Sequence, residues 1–225
     1  MNERYLKMLK AMLSGSVTSI EVFFLTLLFS LPFALIIASG RMSKNRLVSG
    51  TTNVFLLVIR GTPLMLQLLV VYFGPGLFFK YLKELGYNID LKWERFPAAI
   101  TAMVINYSAY FAEIYRGGIE SIPKGQYEAG KVLGFTSRQT FFRIVVPQVI
   151  KRIVPAMGNE VITLVKDTAL VSVIGVGELL LVAKERQSAM FSFMPLLVAG
   201  VFYFVMNAVV SFAFIKLEKK LSYYS

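Results

Sequence analysis

The sequence predicts an all-α integral membrane protein with five transmembrane helices and a helix-turn-helix loop on the cytoplasmic side. Hydrophobic residues make up 56% of its 225 residues and charged residues only 16%, whereas a typical soluble domain is about 25% charged. The apolar residues are gathered in runs of about 20, the length that crosses the hydrocarbon core of a bilayer. A long, regularly patterned polar stretch separates two of these runs, and it predicts the ordered loop.

Five apolar runs are interpreted as membrane spans, and the second is interrupted by the sequence Arg60-Gly61-Thr62-Pro63. The spans lie near residues 16–38, 54–79, 96–115, 149–165 and 193–215. Residues 167–183 are also apolar, but they contain Gly175 and Gly177. They either continue the fourth helix or form a broken, partly re-entrant segment, and we favour the broken form. Such backbone is tolerated at membrane depth only against protein or a water-filled cavity.

Loop charge predicts which side faces the cytoplasm. The side that holds the connections after the first and third spans and the C-terminal tail has thirteen basic and three acidic residues, against nine basic and five acidic residues on the other side. Because cytoplasmic loops collect Lys and Arg, the N-terminus is predicted outside and the C-terminus inside. Basic residues Arg4, Lys7 and Lys10 near the N-terminus argue against this orientation. The start of the chain leads into a full-length span, so we expect no cleavable signal peptide.

Composition also excludes several kinds of chemistry. The chain has no cysteine and no histidine, which removes disulfides, thiolate nucleophiles, zinc sites and imidazole catalysis. It contains no Gly-x-x-x-x-Gly-Lys-[Ser/Thr] phosphate loop, so any nucleotide chemistry must lie on another chain. The net charge of +11 is explained by cytoplasmic loops, and we expect no nucleic-acid partner.

The loop between the third and fourth spans, about residues 118–147, is too regular for a disordered linker. Residues 126–133 form a predicted short helix that ends at Gly134, because glycine readily adopts the left-handed conformation. Thr136 or Ser137 is placed to cap a second helix. The loop therefore forms either a docking knob for a cytoplasmic partner or a surface helix in the lipid headgroups. Small side chains at Ala129 and Gly130 beside Glu128 favour the docking interpretation.

Four motifs in order resemble one transporter family. Residues 127–134, YEAGKVLG, followed by IVVP at 144–147, are similar to the EAA loop of ABC-importer permeases, although Gly130 stands where that family usually has alanine. The stretch RGTPL at 60–64 and the stretch KDTALVSVIG at 166–175 resemble signatures of the polar amino acid subfamily. The likeness, with YSAYFAEIYRGGI at 107–119, covers most of the chain.

The resemblance implies that residues 1–225 form one ABC transmembrane domain in a bacterial inner membrane, surrounded by lipid. The permease would work as a pair, most simply a homodimer. Two ATPase subunits would bind ATP and Mg²⁺, with no cofactor on this chain, and an extracytoplasmic amino-acid-binding protein would deliver substrate. The residues expected to couple to the ATPases are Tyr127, Glu128, Ala129, Gly130 and Gly134.

Two polar stripes predict a substrate cavity between the third and fourth spans. Their members recur at helical spacing, so that each set shares one helix face; they are Asn106, Tyr110 and Glu113, and Glu160, Thr163 and Asp167. If both faces turn inward, Glu113 and Glu160 would pair with a guanidinium or ammonium group, while Asn106 and Thr163 would orient it. A basic amino acid is the favoured substrate, with another polar amino acid as the alternative.

Structural explanations for these carboxylates also remain open. Glu113 could pair with Arg116 three residues on, and Glu160 could pair with a buried Lys or Arg on another span. A secondary transporter or channel would use the two carboxylates as ion relays, but it would not need an ordered loop. A membrane enzyme would need an activated nucleophile, for which no residue spacing provides support.

Overall fold

Helices account for almost all of the backbone in the computed structural model, which describes residues 3–85, 87 and 94–221. Lys92, which the charge count assigns to the outer side, lies outside the described residues. Within the described ranges there are nine α-helices and no strand: α1 (Glu3–Arg41), α2 (Arg46–Gly61), α3 (Leu64–Glu84), α4 (Arg95–Glu120), α5 (Lys124–Val132), α6 (Ser137–Thr140), α7 (Val146–Asp167), α8 (Leu179–Met190) and α9 (Met194–Leu221).

Three of the described helices, α1, α3 and α9, are long and apolar enough to cross a membrane by length and composition. Helices α4 and α7 have 26 and 22 residues and correspond to the third and fourth predicted spans. They are long enough for a bilayer but carry the polar stripes that lower their hydropathy. The membrane character of the chain is therefore confirmed, whereas composition alone supports three of the five predicted spans.

Helix α1 is longer than its predicted span, because it begins at Glu3 and contains 39 residues. At about 1.5 Å per residue it is about 58 Å long, well beyond the hydrocarbon thickness. Met8 and Met12 in the extension are buried in a cluster with Leu179 of α8 and Ala199 of α9. Packing against these later helices therefore extends α1 past the membrane-length run that hydropathy detects.

The second predicted span is two helices rather than one interrupted helix. Helix α2 ends at Gly61 and α3 begins at Leu64, with Thr62 and Pro63 in extended conformations (ψ 144° and 135°). Proline disfavours helical backbone in the preceding residue and has no N–H to donate. The predicted interruption at Arg60-Gly61-Thr62-Pro63 is confirmed, and it is a complete break in the helix.

Helices α1 and α4 form the centre of the bundle and pack through small side chains. Ser30, Ala34 and Ala38 on α1 are buried, as are Ala98, Ala102 and Ala109 on α4. Small residues let helix backbones approach closely in membranes, where no hydrophobic force between helices is available. Helix α4 also packs against α2, α3 and α7, and α1 packs against α2 and α7.

The backbone after α7 is broken, as the favoured interpretation of residues 167–183 predicts. A 3₁₀ segment, Thr168–Ile174, ends at Gly175 in the left-handed conformation (φ 78°). The carboxylate of Glu178 then caps α8 by accepting hydrogen bonds from the N–H groups of Leu180 and Leu181, each at 2.8 Å. This buried carboxylate also accepts from the Tyr203 hydroxyl of α9 at 2.5 Å. Its partners explain an ionisable residue within an apolar run.

The loop after α4 has the predicted helix-turn-helix start. Helix α5 ends at Val132, and Gly134, two residues later, has a left-handed φ of +75°. Thr136 then caps α6 in a reciprocal capping box with Gln139. Helix α6 is not separate, because a π-helical segment, Phe141–Val145, joins it to α7. Pro147 lies in the first turn of α7. Its ring would crowd the carbonyl four residues earlier, and the wider π turn relieves that clash.

Substituting Gly118 by alanine is expected to destabilise the protein, because the new Cβ would overlap the Cγ2 methyl of Ile153 on α7. Overpacking of this kind costs about 1–3 kcal/mol. The neighbouring Gly117 has open space around the same position, so Gly117→Ala should be neutral or slightly stabilising through helix propensity. Thermal unfolding of the two purified variants in detergent measures the difference. Equal midpoints would contradict the close packing of α4 on α7.

Candidate functional site

A polar cavity of about 480 Å³ lies where the broken span meets α4 and α7. This volume is within the range of small-molecule sites. Five of the six residues that the two polar stripes predict line it: Asn106, Tyr110, Glu160, Thr163 and Asp167. The other lining residues are Tyr107 and the residues of the break, Arg60, Gly61, Thr62, Pro63 and Leu64. The structure therefore brings the two stripes together, as helical periodicity predicts.

Glu113 is not among the residues that line this cavity, so the structure does not bring it beside Glu160 as the polar stripe predicts. Its carboxylate accepts two hydrogen bonds from the guanidinium of Arg116, at 3.1 and 2.9 Å. It also lies 3.4 Å from a guanidinium nitrogen of Arg60. Glu113 borders a neighbouring cavity instead. The alternative pairing with Arg116 is thus the observed one, because an arginine three residues away on a helix reaches back easily.

Arg60 lines both cavities. Its guanidinium is held between the carboxylate of Glu113 and the ring of Tyr110, whose centroid is 5.5 Å away. The sequence places Arg60 in the helix interruption and in the RGTPL motif, but the polar stripes do not include it among the predicted cavity residues. Its position in the last turn of α2, one residue before the helix ends at Gly61, was the available signal.

The two carboxylates of the cavity differ in their partners. Asp167 accepts a hydrogen bond from the Tyr107 hydroxyl at 2.8 Å, and Tyr107 is buried. Glu160 is half-buried. Among the described residues Glu160 has no hydrogen-bonded or ion-paired partner, so the suggested pairing with a buried Lys or Arg is not observed. The cavity thus holds one carboxylate without a hydrogen-bonded partner among the described residues and another that is oriented by a tyrosine.

Side chains at the break satisfy its backbone carbonyls. Thr62 Oγ1 donates to the Val58 carbonyl at 2.9 Å. The side-chain nitrogen of Gln67 contacts the Ile59 carbonyl at 2.7 Å, the Thr62 carbonyl at 3.1 Å and Thr62 Oγ1 at 2.9 Å. The oxygen of the same Gln67 side chain accepts from Asn106 at 3.1 Å. Gln67 therefore connects the break to the cavity, a role that no local sequence pattern signals.

The residues predicted to couple to a partner have different positions in the loop. Glu128, Ala129 and Gly134 are exposed, whereas Tyr127 packs against the buried cluster beneath the loop. Gly130 is buried, and a Cβ there would lie 2.5 Å from Thr140 Oγ1. Its small size thus serves the contact between α5 and α6. The prediction that Gly130 makes room for a partner's backbone is wrong.

Within the described part of the chain, no cluster of three Asp or Glu side chains could hold a metal ion.

Similarity to characterised proteins extends over most of the chain. The chain is 37% identical to the nopaline transport system permease protein NocM of Agrobacterium fabrum over 89% of this chain and 83% of that protein. It is 35% identical to the arginine transport system permease protein ArtQ of Bacillus subtilis (93% and 91%) and 39% identical to the L-cystine transport system permease protein TcyB of the same organism (77% and 70%).

Solved structures agree with this similarity. A crystal structure of an amino acid ABC transporter with histidines matches with a TM-score of 0.82 and 34% identity, over 98% of this chain and 100% of that one. The MetNI methionine ABC transporter matches with a TM-score of 0.70 over 98% and 99% of the two chains, at 18% identity, which supports the fold alone. Residues 30–223 match the family described as the binding-protein-dependent transport system inner membrane component. The chain therefore belongs to this family of inner-membrane permease subunits.

Proposed function

We propose that this chain is the permease subunit of an ATP-driven importer for basic amino acids, and that the polar cavity is its substrate site. The observation that carries the proposal is the set of charged groups lining that cavity. Two carboxylates, Glu160 and Asp167, accompany one guanidinium, Arg60. The formal charge of the lining is therefore −1, which complements the charge of +1 on arginine or lysine at neutral pH.

The arrangement of these charges supports a particular orientation of the substrate. Arg60 and the N-terminus of α3 lie together at the break, and both attract the α-carboxylate, since the first N–H groups of a helix have no intrahelical acceptor. Glu160 and Asp167 on α7 attract the side-chain cation. Among the relatives, the arginine transport permease ArtQ is named for a substrate that fits this arrangement directly, and the structural neighbour is an amino acid transporter described with histidines.

The family membership supports a larger assembly. Family members work with ATPase subunits and a binding protein, and a pair of permeases, here most simply two copies of this chain, would enclose one pathway. We propose five crossings per copy, formed by α1, the broken pair α2 and α3, α4, α7 and α9. ATP and Mg²⁺ would bind on two cytoplasmic ATPases, and closure of these subunits would switch the cavity between inward and outward access.

The loop provides the link to those ATPases in this proposal. Glu128 and Ala129 are exposed on α5, and the apolar side chains of Val132 and Leu133 are 87% and 68% exposed. Exposed apolar groups beside a carboxylate at the end of a rigid helix suit a protein partner. Arg152 of α7 donates to the Ser121 carbonyl before α5, which ties the loop to the helix that carries Glu160. Force applied to the loop would therefore reach the cavity.

Replacing Glu160 by glutamine should lower arginine uptake by about 10- to 100-fold, because a hydrogen bond to a charged group contributes about 1.5–3 kcal/mol. Uptake by the reconstituted importer, together with its binding protein and ATPases, measures the effect. Glu185→Gln, which changes an exposed carboxylate of α8, is the matched control and should transport normally. Normal uptake by Glu160→Gln in an intact assembly would remove Glu160 from the substrate site.

Replacing Arg60 by methionine should reduce the preference for arginine over agmatine, which lacks the α-carboxylate, by about tenfold or more. Equilibrium binding of the two ligands to the purified permease–ATPase complex measures this ratio. Arg41→Met is the control, because Arg41 borders the neighbouring cavity and is not among the residues that line the polar cavity. An unchanged ratio of arginine to agmatine affinity, even with weaker binding of both ligands, would show that Arg60 does not bind the α-carboxylate of the substrate.

Replacing Glu128 by alanine should uncouple the ATPases, because it removes an exposed acceptor from the proposed contact surface. We expect at least a several-fold loss of substrate-stimulated ATP hydrolysis, with arginine binding unchanged. Glu218→Ala near the C-terminal end of α9 is the control on the same predicted side of the membrane. Normal co-purification of the ATPases together with normal transport would contradict the docking role of α5.

A further inference from the structure

The break between α2 and α3 leaves a backbone acceptor without its usual donor. In a continuous helix the Ile59 carbonyl would accept from the N–H four residues later, which is position 63. Proline occupies that position and has no N–H. The side-chain nitrogen of Gln67 lies 2.7 Å from the Ile59 carbonyl and takes the place of the missing donor.

The partners of Gln67 leave only one possible orientation for its amide. Carbonyl oxygens of Ile59 and Thr62 cannot donate, and Thr62 Oγ1 already donates to the Val58 carbonyl. All three therefore accept from Gln67 Nε2, which donates to them with two hydrogens. A flipped amide would place Oε1 against two carbonyl oxygens with no hydrogen between them. Oε1 must consequently face away from the break and accept a hydrogen bond itself.

The fixed orientation of the Gln67 amide in turn determines the orientation of the Asn106 amide. Gln67 Oε1 lies 3.1 Å from Asn106 Nδ2, and only the nitrogen of the asparagine amide can donate to it. Asn106 Oδ1 then points elsewhere. The side chain lines the polar cavity, and within the described residues its oxygen has no hydrogen-bond partner. Asn106 is only 5% exposed, so packing restricts its rotation.

We infer that Gln67 is a positioning residue that fixes the Asn106 amide so that the cavity presents a hydrogen-bond acceptor at this wall. The inference rests on the proposed function, in which the cavity binds a basic amino acid. An acceptor there complements the N–H groups of a guanidinium or ammonium. A ligand with a carbonyl in the same place would bring its oxygen against Asn106 Oδ1 with no hydrogen between them. Gln67 thus contributes to selectivity without touching the substrate.

Arginine and citrulline provide the test, because citrulline carries a neutral urea with a carbonyl in place of the guanidinium. Equilibrium binding of each ligand to the purified permease–ATPase complex, without binding protein, gives the ratio of their affinities. Gln67→Met has nearly the same shape but no hydrogen bonds, so Asn106 can turn its nitrogen toward the cavity. We expect the preference for arginine to fall by about tenfold. Gln187→Met on α8 should leave it unchanged.

The variants separate positioning from a structural role. If Gln67→Met lowers the affinities for arginine and citrulline equally, or changes neither affinity, the inference is overturned. If Gln67→Met does not assemble, a second variant, Gln67→Glu, tests whether Gln67 positions Asn106. Its carboxylate still accepts from Asn106 Nδ2 but cannot donate to the break, so it should lower thermal stability while keeping the arginine preference at or above the wild-type ratio. A reduced ratio in Gln67→Glu would overturn the inference.

The wild-type complex distinguishes the two levels of the proposal. Failure of the wild type to bind arginine would overturn the proposed function and this inference with it. Arginine binding with a clear preference over citrulline, unchanged in Gln67→Met, would overturn only the role of Gln67.

Discussion

The break at Thr62 and Pro63 is the constraint on which the polar site depends. A break between two helices leaves backbone groups without intrahelical partners, and at membrane depth such groups need partners from the protein or from a water-filled cavity. Thr62 and Gln67 supply those partners, and Gln67 brings Asn106 into the same network. The ends of α2 and α3 thereby meet the polar stripes of α4 and α7. Without the break, an apolar helix would close the space that these stripes face.

Helices α4 and α7 connect the cavity to the loop. They carry the cavity residues Asn106 and Glu160 toward one end and flank the loop at the other. At the loop end they pack closely, because Gly118 leaves no room for a side chain beside Ile153. Gln148 of α7 also donates to Gln126 of α5 at 3.1 Å. Since closely packed interiors transmit strain, the proposed mechanism has movement of the loop linked to movement of the cavity walls.

Local patterns predicted much of this structure. The left-handed end at Gly134 and the cap at Thr136 follow from the chemistry of single residues and their immediate neighbours. The break before Pro63 follows in the same way. The shared face of Glu160, Thr163 and Asp167 follows from helical periodicity. The extension of α1 was not predictable from hydropathy, because it depends on methionines that pack against helices more than 160 residues later in the chain.

Residue types and their spacing were therefore enough to identify a helical membrane protein, its interrupted second span and the face of each helix that carries polar groups. They could not say which groups from other helices arrive at that face. Glu113 has the spacing of a cavity residue, yet Arg60 and Arg116 occupy its carboxylate. Tyr107 and Gln67 gain their roles only through contacts across the bundle. Periodicity describes one helix at a time, whereas charge pairing and hydrogen bonding depend on distances between helices, and those distances exist only in the folded chain.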